Sequence, residues 1–128
     1  QLLDDKGYLL SENFYWRNGM NDLDYKDFNA LPETNLICTL RNALISKGTM
    51  TLVLENHSQT VSFANRLRLV NGTSGQRILP IIMSDNYITL MPGEKKEIRI
   101  EASPDLLKGK VDVLLKQYGK AEKRVLSF

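Results

Sequence analysis

The stretch LPIIMSDNYITLMPGEKKEI, residues 79–98, decides how this chain is read. Within it, Met91-Pro92-Gly93-Glu94 is a turn with a mechanism. Pro92 presets φ at the first central position, and Gly93 accepts the positive φ that a type II turn requires at the second. That turn joins an apolar run at 87–90 to an alternating run at 95–102. Pro80 interrupts a run at 77–83, which predicts an edge strand or a bulge there, because proline cannot donate to a ladder. Between them lies Ser84-Asp85-Asn86-Tyr87, a cluster able to hold a sugar or a cation, or simply to turn the chain. Serine, aspartate and asparagine side chains bond nearby backbone, so the physics of these residues predicts a second tight turn.

Working outward, the dominant period is two. Met50, Leu52 and Leu54 fall on one face of 49–55. Leu67 and Leu69 oppose Arg66 and Arg68, and Ile98 and Ile100 oppose Glu97, Arg99 and Glu101. Such alternation marks strands with one buried and one wet face. Strands are predicted at 2–3, 8–16, 35–40, 49–56, 64–70, 77–83, 87–90, 95–102, 111–118 and 123–128. The first two form a hairpin around Asp4-Asp5-Lys6-Gly7. Pro104 to Leu107 reads as a short helical turn with Ser103 as its N-cap. Short strands at this spacing predict an all-β sandwich or barrel. Residues 18–32 form a polar connector whose Tyr25, Phe28 and Leu31 predict a loop packed onto the body.

The chain's 128 residues allow one domain with one core. Hydrophobic residues at 42% and charged residues at 25% fit a globular protein rather than a disordered one. The 17 basic and 15 acidic side chains are interleaved, as in Glu94-Lys95-Lys96-Glu97, without the basic stripe that binds nucleic acid. No apolar run is long enough to span a bilayer. Gln1 opens directly into Leu2-Leu3, so the chain reads as a piece of something longer.

Few residues offer chemistry. Cys38, in an apolar run, reads as a buried and inert thiol. His57, in turn-like Asn56-His57-Ser58-Gln59, reads as a surface residue with no second metal ligand at useful spacing. Asn56-His57-Ser58 and Asn71-Gly72-Thr73 match the N-glycosylation acceptor, a short pattern common by chance. Asp22, Asp24 and Asp27 offer oxygens for calcium but lack EF-hand order, so they read as a solvated loop. No metal or cofactor is predicted. Phe14, Tyr15 and Trp16 read first as packing aromatics and second as a sugar-stacking surface.

Three runs together carry a resemblance: FANRLRLV at 63–70, GQRILP at 75–80 and SDNYITLMPGE at 84–94. With the segment at 7–16, including SENFYW at 11–16, and the connector run at 24–32, they resemble the C-terminal immunoglobulin-like domain of glycoside hydrolase family 2 enzymes of the β-mannosidase and exo-β-glucosaminidase type. The run at 117–128 matches less clearly. The resemblance implies an immunoglobulin-like antiparallel β-sandwich over 33–128. It implies that the hairpin at 1–17 ends a preceding sandwich domain, and would fold back on this domain or pair with a neighbour. It implies a non-catalytic accessory role in a parent whose (β/α)₈ barrel, absent here, cleaves terminal β-linked sugars with retention. The barrel and preceding sandwich would be its partners, with carbohydrate a further one. Asp85, Asn86 and Tyr87 are the candidate loop for the active-site rim. Such parents are periplasmic, secreted or lysosomal. The competing readings are a stand-alone carbohydrate-binding module and a protein-interaction sandwich.

Overall fold

A computed structural model describes residues 1–11, 15 and 26–128. The hairpin pairs β1 (Leu2–Leu3) with β2 (Leu9–Ser11). The Asp4 carboxylate accepts the N–H groups of Lys6 and Tyr8 and shapes the turn. Within 1–11 every residue but Asp4 is exposed, including Leu2, Leu3, Leu9 and Leu10. The hairpin therefore does not bury its apolar side chains on the body, as a fold-back would require. The expected continuation of its second strand to Trp16 lies outside the described residues, apart from exposed Tyr15.

The body is two antiparallel four-stranded sheets. One has the order β3 (Leu36–Leu44), β4 (Thr49–Asn56), β8 (Lys95–Ala102), β6 (Ile81–Met83). The other has the order β10 (Glu122–Ser127), β9 (Val111–Lys116), β5 (Ser62–Asn71), β7 (Ile88–Leu90). This is the predicted all-β sandwich. The alternating residues meet between the sheets: Leu52 and Ile98 are cross-strand partners in the first, Leu67 and Leu115 in the second. All four are essentially inaccessible, and burial of each contributes roughly 1.5–3 kcal/mol. Cys38 belongs to this core, and burial pushes its thiol up to about 11. At neutral pH it is an unreactive thiol.

Two expectations need correction. The run at 77–83 is not one strand. Arg77 bridges Val70 and Ile78 N–H bonds Leu69 C=O on β5, whereas Ile81–Met83 pairs with β8 in the other sheet. Pro80, lacking an N–H, sits where the chain changes sheets, and β6 is an edge strand. Ser103 also fails as a side-chain cap: the turn at Pro104–Leu107 is closed by Leu106 N–H bonding the Ser103 carbonyl. In the described part of the connector, Phe28 stacks on Phe63 with ring centroids 4.3 Å apart, and Tyr118 meets Phe63 edge-on; Tyr25 lies outside the described residues.

Gly48 shows how tightly one end is closed. It has φ +72, its carbonyl accepts Ala102 N–H, and a Cβ there would lie 2.0 Å from the Ala102 oxygen. Gly93, at φ +77, faces open space. Gly93→Ala should cost about 1–2 kcal/mol of left-handed strain, and Gly48→Ala clearly more. Urea denaturation of both variants checks this, and equal losses would refute the close approach.

Candidate functional site

The turn at 84–87 carries the chain from β6 in one sheet to β7 in the other, and the Met91-Pro92-Gly93-Glu94 turn carries it back to β8. Neither is a hairpin within a sheet. Glu94 N–H bonds Met91 C=O at 3.1 Å across the second turn, with Gly93 at the positive φ predicted for it. At the first turn, Ser84 lengthens the β6–β8 pairing. Its N–H bonds Arg99 C=O at 2.8 Å and its Oγ accepts Arg99 N–H at 3.0 Å.

Asn86 is structural rather than free. Its Oδ1 accepts Leu67 N–H at 2.8 Å, and its Nδ2 donates to Leu67 C=O at 3.1 Å. One side-chain amide thus does for β5 what a neighbouring strand would do. Asp85 accepts Asn86 N–H through Oδ1 and pairs with Lys96 at 3.3 Å through Oδ2. Tyr87 is different. It is 65% exposed, and its backbone stands at φ 56, an outlying conformation for a bulky side chain. Of Asp85, Asn86 and Tyr87, the turn therefore presents Tyr87, pairs Asp85 with a cation and locks Asn86 into the frame.

A cleft of about 170 Å³ lies behind the turn, lined by Leu67, Leu69, Ile78, Ile81, Met83 and Asn86 among others. It is smaller than the ~300–1,000 Å³ of ordinary ligand pockets. Among the described residues there is no cluster of His, Cys, Asp and Glu able to hold a metal. His57 is on the surface, 3.3 Å from the Glu55 carboxylate. Asp27 is exposed, while Asp22 and Asp24, like Phe14 and Trp16, lie outside the described residues. Asn56 is fully buried with its Nδ2 shared among the carbonyls of Thr60, Leu90 and Met91, so it is closed to glycosylation in the folded chain.

Among the described residues, the carboxylates with shifted acidity, Glu33, Asp112 and Glu122, move the same way. The Arg68 guanidinium bonded to Glu122 lowers its pKa, and Arg66 adds to the effect. The Ser127 hydroxyl does the same for Asp112, with Arg124 beside it, and Lys123 for Glu33. A general acid working near neutrality needs the opposite shift.

A buried polar set was not foreseen. Gln117 Oε1 accepts Thr34 N–H at 2.9 Å and its Nε2 donates to Thr34 C=O at 2.7 Å. The Thr34 hydroxyl meets Ser62 Oγ, which bonds Asn65 Oδ1, and Asn65 Nδ2 reaches Ile88 C=O at 2.9 Å. A signal for it existed: Asn65 shares the inward alternation of Leu67 and Leu69.

The two packed antiparallel sheets define an immunoglobulin-like β-sandwich domain. Residues 13–118 match the exo-β-D-glucosaminidase Ig-fold domain, and the chain belongs to that family. It is 31% identical over 114 residues to an exo-β-D-glucosaminidase of Arthroderma benhamiae, covering 77% of this chain and 13% of that protein. It is 31% identical over 121 residues to the exo-β-D-glucosaminidase of Hypocrea jecorina, covering 77% of this chain and 14% of that one. The exo-chitosanase CsxA of Amycolatopsis orientalis shares the fold, with a TM-score of 0.70 at 21% identity, over 96% of this chain and 17% of that one. The chain thus spans 13% and 14% of the lengths of the two relatives named. Both are exo-β-D-glucosaminidases. They match one of the two enzyme types that the sequence resembles and do not extend to β-mannosidase.

Asn86→Ala should cost about 1–3 kcal/mol, because it strands the two Leu67 backbone groups. Tyr87→Gly should raise stability by roughly 0.5–1 kcal/mol, since relief of left-handed strain exceeds the added chain entropy. Chemical denaturation measures both. Glu122 supplies a pH test. Its folded pKa lies below the unfolded value of about 4.3, so its contribution is complete above that pH and disappears as pH falls through the folded pKa. Glu122→Gln should lower melting temperature at pH 7 and shrink the difference from the parent chain in acid.

Proposed function

We propose that this chain is the C-terminal accessory domain of a longer family 2 glycoside hydrolase, an exo-β-D-glucosaminidase. The domain itself is non-catalytic. In this reading the sandwich over 33–128 braces a catalytic barrel that lies elsewhere in the polypeptide. The connector at 18–32 leads into it, and the hairpin at 1–17 belongs to the preceding sandwich. The turn at 84–87 stands at the rim of the parent's active site. The parent removes terminal β-linked glucosamine with retention and works outside the cytoplasm.

The observation that carries this reading is the family match over 13–118 in a chain whose curated relatives are several times longer. The chemistry agrees with it. Glycoside hydrolysis uses two carboxyl groups facing each other across the scissile bond, one held protonated near neutrality. Glu33, Asp112 and Glu122 are instead held ionised by bonds from Lys123, Ser127 and Arg68. The exposed apolar side chains of Leu2, Leu3, Leu9 and Leu10 suit a hairpin that is completed by another domain.

Incubating the purified chain with PNP-β-D-glucosamine should release no nitrophenol, whereas the full-length parent should release it and lose thermal stability when residues 33–128 are deleted. Turnover by the isolated chain that persists through repurification would overturn the non-catalytic reading. A parent that cleaves β-mannosides and spares β-glucosaminides would overturn the assigned sugar.

A further inference from the structure

We propose that Tyr87 is a sugar-stacking residue that takes a pyranose face of a β-linked glucosamine chain. This rests on the reading of the parent as an exo-β-D-glucosaminidase. Tyr87 is 65% exposed; Tyr8 and Tyr15 are exposed too, but the backbone of Tyr87 sets it apart from them. Its backbone is held at φ 56, where most side chains are strained, and strain of this kind persists where the surrounding structure enforces it. Here the enforcement is visible: Asn86 is clamped on both backbone groups of Leu67, and Ser84 is bonded twice to Arg99. The ring is therefore presented from a turn whose backbone is already fixed, which lowers the ordering cost of binding.

A second irregularity marks the same corner. Asn65 and Ile88 are cross-strand partners, and residues beside each of them break the regular pattern. Ala64, next to Asn65, has φ 47, and Tyr87 precedes Ile88. Arg66, on the other side of Asn65, holds its Nε buried with no acceptor among the described residues. The surroundings of the ring decide the class of ligand. Along the chain Tyr87 is flanked by the polar residues Ser84, Asp85, Asn86 and Thr89, with Lys96 held against Asp85, so it is a single aromatic ring in a run of hydrogen-bonding groups. That composition fits a sugar ring better than it fits an apolar protein surface, which would want a contiguous patch. The Asp85–Lys96 pair leaves the turn with no net charge to repel a glucosammonium group.

The test is a titration of the ¹⁵N-labelled chain with β-linked glucosamine oligomers, and separately with β-mannose oligomers, followed by amide shifts. Expected are shifts confined to residues 84–89 with glucosamine oligomers, kept in Tyr87→Phe and about tenfold weaker in Tyr87→Ala. Unshifted amides in the β-sheets of Tyr87→Ala would show that it folds. Shifts that survive Tyr87→Ala, or no shifts with either sugar at millimolar concentration, would overturn the stacking role and leave the accessory role standing. Shifts with mannose oligomers alone would overturn both the glucosamine assignment here and the parent's sugar.

Discussion

A sandwich whose chain changes sheets must satisfy the backbone groups at each crossing, and this constraint shapes the whole structure. A strand end that leaves its ladder exposes N–H and C=O groups that cost free energy when buried without partners. Here side-chain amides stand in for missing strands. Asn86 completes Leu67, Gln117 completes Thr34, Asn65 reaches Ile88, and Asn56 is shared among three carbonyls at the return crossing. Each presents a donor and an acceptor in one plane, which is what a strand edge offers. The apolar core makes the sandwich favourable, but these amides decide where the chain crosses.

The same substitution sets the character of the candidate site. A turn held by ladder-like bonds is rigid, and rigidity allows strained backbone to persist at Tyr87. The turn therefore divides its work among adjacent residues. Ser84 and Asn86 belong to the frame, Asp85 pairs with Lys96, and Tyr87 presents an exposed ring. A reading that treats the four as a single polar cluster misses this division, because it depends on partners 15 and 19 residues away.

Much of the sandwich was legible because period-two alternation is a local signal. Runs 49–56 and 95–102 were bounded as they are observed, and the type II turn at Pro92-Gly93 followed from φ preferences alone. The sheet to which each strand belongs was not legible. The residues at 77–83 look like one strand, yet its two parts pair with partners in different sheets, and pairing is a long-range property. The Ser103 cap failed for a related reason: N-cap propensity names a position, while a bond needs a side-chain geometry that sequence does not fix. Asn56 offers the sharpest case. The acceptor pattern Asn56-His57-Ser58 is a surface signal, but burial has turned that asparagine into a corner support.

What the described carboxylates do chemically is read from their partners rather than from the fold. Immunoglobulin-like sandwiches host many functions, so the architecture alone is neutral on this point. Glu122 is the most informative residue. It lies on the outer side of the β5–β9–β10 layer with two arginines on one carboxylate. An acid site would keep cations away so that the proton stays on. This arrangement gathers them so that the proton leaves, and it ties β10 to β5 across β9. The charge pattern that makes Glu122 useless for donating a proton is the one that fastens the last strand to the sheet.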